Sequence, residues 1–123
     1  MKNNYALFLD DLRVPKDVTW IELPLVNWEV VRNFKQFVNY VKSHGIPARV
    51  SFDFDLEPEH YVYDWSSNSA GLITGTGQDC VKWLVAHCED AGEPFPEYTL
   101  HTLNRVGLEN MKSYIESYKK AKL

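Results

Sequence analysis

The chain has 123 residues, 45% hydrophobic and 24% charged, with six Gly and six Pro, a composition that fits one soluble globular domain spanning residues 1–123 and excludes disordered, collagenous and disulfide-scaffold architectures. Thirteen Lys and Arg against seventeen Asp and Glu leave a net charge of -4. That balance argues against an extended nucleic-acid coat protein or a membrane-surface binder and leaves a phosphate substrate open.

The first apolar run, Tyr5 to Leu9, is continuous and stops at Asp10 and Asp11, as a strand buried on both faces of a parallel sheet does. Its five residues are too short for a signal-peptide core or a membrane span, so the expected location is cytoplasmic. Leu12 to Asp17 carries a proline and no helical period and is expected to be a loop. Trp28 to Val31 is rich in β-formers and leads into Phe34, Phe37, Val38 and Val41, the spacing of an amphipathic helix, which Gly45 and Pro47 end. His44, just before Gly45, complements the helix dipole.

From Ala48 to Leu56, Val50, Phe52, Phe54 and Leu56 alternate with Ser51, Asp53 and Asp55, which predicts a strand carrying two carboxylates on one face. Residues 57–77 contain Pro58, glycines and aromatics and are expected to form a long functional loop, with Tyr61, Tyr63 and Trp65 either stacking on a base or packing the loop down. A helix then starts near Asp79, with Val81, Leu84, Val85 and Cys88 on one face and Gly92 and Pro94 as its stop. Cys80 and Cys88 on that helix are about 12 Å apart along its axis, too far for a disulfide, and are expected to be reduced core thiols. Tyr98 to Leu103 predicts the fourth strand. Asn104 and Gly107 open a last helix with Leu108, Met111, Ile115 and Tyr118 on one face and a basic, solvated end.

This alternation predicts an α/β fold with a four-stranded parallel sheet covered by helices. Ligands in such sheets bind beyond the carboxyl ends of the strands. Those ends carry Asp10 and Asp11, then Asp53 and Asp55, then His101, Thr102 and Asn104, with Asp79 at the following helix start. Carboxylates gathered there repel one another unless a cation lies between them, and oxygen ligands of this kind suit Mg²⁺ or Mn²⁺. For single residues the alternatives are plain: Asp10 and Asp11 cap a turn, Asp79 is a helix N-cap, and His101 is a hydrogen-bonded core histidine.

Four motifs occur in order: Leu7-Phe8-Leu9-Asp10-Asp11-Leu12-Arg13 with Pro15; Ser51-Phe52-Asp53-Phe54-Asp55-Leu56; Gly75-Thr76-Gly77-Gln78-Asp79 with Trp83-Leu84; and His101-x-x-Asn104-x-x-Gly107-x-x-Asn110-Met111. Together they resemble the cyclic-phosphate processing receiver domains, relatives of the response-regulator receivers. Where that family often has a histidine between the two strand-three acids, this chain has Phe54. The resemblance implies a three-layer, receiver-like (flavodoxin-like) fold with a truncated, mainly parallel four-stranded sheet. The fifth strand and phosphate-binding lysine of ordinary receivers are expected to have no counterpart in that sheet.

By the same resemblance, Asp10, Asp11 and Asp53 bind Mg²⁺ or Mn²⁺, and Asp53 holds the receiver's acceptor position. Asp53, Asp55 and His101 are the expected catalytic residues, with His101 as general acid toward a leaving ribose oxygen. Arg13, Thr76, Asp79, Thr102, Asn104 and Asn110 are the expected substrate contacts. The activity implied is metal-dependent hydrolysis of a cyclic phosphate, at an RNA end or in a cyclic nucleotide. The alternative is a degenerate receiver that accepts a phosphoryl group or binds a signalling partner.

Overall fold

A computed structural model describes residues 4–56 and 76–122. In chain order they form β1 (Ala6–Leu9), a 3-10 turn at Pro15–Asp17, β2 (Trp28–Val31), α1 (Phe34–His44), β3 (Arg49–Phe52), α2 (Gly77–Ala91), β4 (Glu97–Leu100) and α3 (Arg105–Ala121). The four strands are all parallel, in the order β2-β1-β3-β4. This is the expected truncated receiver-like α/β sheet. The chain steps from β1 out to β2 and returns on the other side of β1 as β3, so the topological switch point, where such sheets open a ligand crevice, lies at the carboxyl ends of β1 and β3.

Local chemistry sets the helix ends. The Asn33 side chain accepts from the Gln36 amide to start α1, and Gly45, at φ 88°, ends it. Thr76 caps α2, and Asp79, three residues on, completes a capping box with it. Asp79 is therefore not the N-cap itself. The Asn104 side chain accepts from the Gly107 amide at the start of α3.

Side-chain alternation divides the core. Leu7, Leu9, Val50 and Phe52 face one side and join Phe37 and Val41 of α1, Cys80, Val81, Leu84 and Cys88 of α2, and Met111 and Ile115 of α3 in one buried apolar cluster. Both cysteines are free and buried, as expected. Phe8 and Ser51 face the other side. There, among the described residues, the covering layer is the irregular chain between β1 and β2, with Val18 buried and Trp20 Nε1 donating to the His101 carbonyl at 2.8 Å. That chain includes the short 3-10 turn where the sequence predicts plain loop.

Two strands are shorter than their sequence patterns. β3 ends at Phe52, not Leu56, because the chain turns at Asp53: the Phe54 amide donates to Asp53 Oδ1 at 2.9 Å and the Phe54 carbonyl accepts from the Gly77 amide at 2.8 Å. β4 ends at Leu100, and a turn follows in which the Asn104 amide donates to Thr102 Oγ1 at 3.1 Å. The expected lid with Tyr61, Tyr63 and Trp65 falls within 57–75, outside the described residues. No helix among the described residues is long and apolar enough to cross a membrane.

Candidate functional site

Strand register builds the site. Leu9 pairs with Phe52, and Phe52 with Leu100, so Asp10, Asp53 and His101 are the next residues of three adjacent strands. The ladder carries one step further, with the Asp53 amide donating to the Leu9 carbonyl and the His101 amide to the Phe52 carbonyl, both at 3.0 Å. Counting two residues back from each reaches Phe8, Ser51 and Thr99, which share one register row and hence one face. The three polar side chains accordingly converge: their ligand-type atoms all lie within 4.8 Å of one another, and all three residues are buried.

Asp10 is fully buried and densely hydrogen-bonded. Its Oδ1 accepts from the Leu12 and Arg13 amides, each at 2.9 Å, which folds the chain after β1 into a tight turn. Its Oδ2 accepts from His101 Nε2 at 3.0 Å, with the Arg13 guanidinium 3.6 Å away. Burial alone raises the pKa of such a carboxyl, but the His101 bond and the two amides outweigh it and hold Asp10 well below the usual carboxylate range. Arg32 braces the turn from behind, donating to the carbonyls of Asp10 and Arg13 at 3.1 and 2.7 Å.

Asp53 has the opposite balance. It is 5% exposed. Burial and the neighbouring Asp10 charge push its carboxyl up to about 6, against the smaller opposing effects of the Thr102 hydroxyl, His101 and the Phe54 amide. Gly77 explains how a helix start comes so close: a Cβ there would lie 1.8 Å from the Asp53 carbonyl oxygen. Only glycine fits.

Beside this cluster a cleft of about 190 Å³ is lined by Asp11, Leu12, Arg13, Asp53, Asp55, Thr102, Leu103 and Asn104. Of the sequence-predicted residues, it therefore gathers Asp11, Arg13, Asp53, Asp55, Thr102 and Asn104. Asp55 does not share the buried face with Asp53, because β3 has already ended. It is exposed at the cleft rim, where Asn104 Nδ2 donates to it at 3.1 Å. Thr76 and Asp79 are engaged with each other, the Thr76 amide donating to Asp79 Oδ2 at 2.9 Å, and neither lines the cleft. Asn110 is exposed on α3, about 9 Å along the axis from Asn104.

His101 departs most from expectation. A general acid must reach the leaving oxygen, but this ring is fully enclosed, stacked on Phe8 with centroids 4.4 Å apart. Both its nitrogens are engaged by the protein, Nε2 with Asp10 and Nδ1 with Ser51 Oγ at 2.7 Å. It is a partner of the aspartates, not a group facing substrate.

Sequence reasoning passed over Ser51, Arg32 and Trp20. Trp20 carries the Arg13 guanidinium 5.0 Å over its ring and holds the His101 carbonyl. The available signal is the repeated pattern of an apolar strand end followed by a polar residue, in Phe8-Leu9-Asp10, Ser51-Phe52-Asp53 and Thr99-Leu100-His101. Laid in register, it puts Ser51 and His101 one strand apart on a shared face.

No curated protein and no solved structure gives a significant match to the chain. The family model described as the cyclic-phosphate processing receiver domain matches residues 5–117. With the parallel receiver-like sheet and its acidic carboxyl edge, this establishes that the chain belongs to the cyclic-phosphate processing receiver domain family.

Proposed function

We propose that the chain is a metal-dependent phosphoesterase that hydrolyses a cyclic phosphate, either a 2′,3′-cyclic phosphate at an RNA end or a small cyclic nucleotide. The observation that supports it best is the pair Asp10 and Asp53: two buried carboxylates on adjacent strand ends, the second with its proton affinity raised by burial and by the charge of the first, beside a cleft that also holds Arg13. A cation between them relieves that repulsion, so the residues fit a divalent ion such as Mg²⁺ or Mn²⁺ held by Asp10 and Asp53, with Asp11 at the cleft wall. When bound, such an ion polarises a phosphoryl oxygen and makes water a better nucleophile.

The chain's own groups supply the rest. Arg13, braced over Trp20, offers its guanidinium to the non-bridging phosphate oxygens. Asp55, held by Asn104, takes the proton of the attacking water. Water adds to phosphorus, one ring P–O bond breaks, and the leaving oxygen takes its proton from solvent in the open cleft. The product is a phosphomonoester.

The test is a product assay on an RNA oligonucleotide ending in 2′,3′-cyclic phosphate and on a panel of cyclic nucleotides, with and without Mg²⁺ or Mn²⁺. Metal-dependent ring opening, lost in Asp53→Asn combined with Asp10→Asn, is the expected result. Opening that survives the double substitution, or no opening of any substrate, overturns it.

One observation favours a second reading, a receiver that accepts a phosphoryl group on Asp53: the Thr102 hydroxyl, in the turn after β4, shares the cleft with that carboxyl and favours its charged form, as a hydroxyl sensing phosphorylation would. Incubation with acetyl phosphate and Mg²⁺ separates the two. A stable adduct on Asp53 belongs to the receiver and not to the hydrolase.

A further inference from the structure

Resting on the proposal that a divalent ion sits between Asp10 and Asp53, the geometry points to His101 Nε2 as a third ligand of that ion, which makes the centre a mixed carboxylate–imidazole site for a first-row transition metal in preference to Mg²⁺. Three observations carry this.

The first is distance. Two ligand atoms each about 2.1 Å from one ion and at right angles to each other lie about 3.0 Å apart. His101 Nε2 and Asp10 Oδ2 are 3.0 Å apart, and an Asp53 oxygen lies within 4.8 Å of each of the other two residues' ligand atoms. The spacing is that of adjacent corners of a coordination polyhedron, so an ion can replace the shared proton with little movement of the backbone. The Arg13 guanidinium, 3.6 Å from Asp10 and about a third exposed, already lines the cleft where a phosphate would sit.

The second is the partner of the other nitrogen. Metal-ligating histidines donate their second ring N–H to an acceptor that fixes ring and tautomer. Ser51 Oγ sits 2.7 Å from His101 Nδ1, both residues fully buried. A hydroxyl can donate or accept. Without metal, His101 Nε2–H donates to Asp10 and Ser51 donates to Nδ1; with metal, Nδ1–H donates to Ser51 and Nε2 turns its lone pair on the ion. Ser51 serves both states, which a carbonyl or an amide N–H in its place would not.

The third is rigidity. Phe8 stacks on the imidazole with ring planes 6° apart, and Trp20 holds the His101 carbonyl, so the nitrogen is presented in one orientation. The donor set bears on the metal: Mg²⁺ takes oxygen ligands, whereas a site that includes nitrogen binds first-row transition ions, with affinity rising from Mn²⁺ through the series.

The unmodified chain, titrated with MnCl₂ or MgCl₂ alone, tests this without requiring any variant to fold. Calorimetry is expected to show Mn²⁺ bound at least about 10-fold more tightly than Mg²⁺, and pulsed electron paramagnetic resonance of the Mn²⁺ complex to show ¹⁴N coupling from an imidazole. Ser51→Ala is expected to weaken Mn²⁺ binding by about 10-fold or more. Mn²⁺ bound without nitrogen coupling overturns the role of His101 and leaves the metal-dependent phosphoesterase standing on its carboxylates. Failure of the chain to bind either ion overturns both.

Discussion

The two ends of the sheet make a useful contrast. At the amino end, α2 and α3 finish around a cavity of about 370 Å³ lined by Cys88, Pro94, Phe95, Tyr118 and the stems of Lys119 and Lys122. At the carboxyl end, the cleft beside Asp53 has about half that volume. Size and apolarity favour the first as a ligand site. Chemistry favours the second. The Cys88 thiol is pushed up to about 11 by burial and by the charge of Glu93, so it stays protonated and inert, and the charges nearby are matched on the surface, Lys122 with Glu89 at 2.9 Å. The carboxyl end instead buries two carboxylates against one imidazole, an arrangement that folding alone does not favour. Crowded buried charge, and not cavity volume, marks the carboxyl end as the candidate site.

The contrast is broken most sharply by Asp53→Asn. At the carboxyl end, activity and stability are expected to move in opposite directions. Ring opening falls by roughly 10³-fold, as loss of several kcal/mol of transition-state stabilisation implies, while the metal-free protein melts at a higher temperature because a buried, repelled charge is gone. A variant that loses both activity and stability would mean that Asp53 is a structural residue. Next comes the backbone that brings the site together. Gly77→Ala drives a Cβ into the Asp53 carbonyl, and neither backbone can yield without parting β3 from α2. The expected loss is about 3 kcal/mol or more, read by denaturant unfolding. Gly92→Ala, at the amino end, meets no atom within 4 Å and pays only for its φ of 70°, about 1 kcal/mol. Equal losses would erase the difference between the ends.

How much of this was legible in the sequence follows the same division. The continuous run Tyr5 to Leu9 and the helical spacing from Phe34 to Val41 report burial directly, so the parallel α/β sheet was readable. Asp10 and Asp53 stood out because acids at strand ends need partners. The alternation through Phe54 and Leu56 misled, since side-chain period continues where hydrogen bonding stops: Phe54 leaves the sheet and packs its ring onto Gly107, where a Cβ would lie 2.3 Å from the ring. That is why Asp55 looked like the twin of Asp53 and is instead an exposed neighbour of Asn104. The bond between His101 and Asp10 joins residues 91 positions apart. It depends on three-strand register, which no local window contains, so His101 read as an acid facing substrate.

The pH dependence of stability sharpens the contrast within the carboxyl end itself. Asp53 has its folded pKa raised from 3.8 to about 6, so the folded state holds the proton more tightly than the unfolded one, and stability falls as pH rises from about 4 to 6. Asp10 has its folded pKa depressed; its contribution is present above about pH 4 and is lost as pH falls below that. The measurement is the difference in unfolding free energy between the unmodified chain and Asp53→Asn in EDTA. The variant's advantage is expected to grow from near zero at pH 4 to roughly 2–3 kcal/mol above pH 6, and to shrink when MnCl₂ is added. A gap that does not change with pH would show that Asp53 carries no excess proton affinity.

The smallest effect belongs to the amino end and serves as the control for all the others. Lys122 donates to Glu89, and its ammonium lies 5.8 Å from the centroid of the Tyr118 ring. Ion pairs between long, exposed side chains gain little, because solvent screens the charges and holding both chains in one geometry costs side-chain entropy. Lys122→Ala is therefore expected to leave the melting temperature, Mn²⁺ affinity and ring-opening rate unchanged within error, although it removes a wall of the larger cavity. A marked fall in ring opening from Lys122→Ala would place substrate at the amino end and reverse the assignment of the site. Unchanged activity with a small shift in melting temperature would leave the assignment intact, because packing around a neutral thiol tolerates a lost rim, whereas ring opening at the carboxyl end does not tolerate a lost carboxylate.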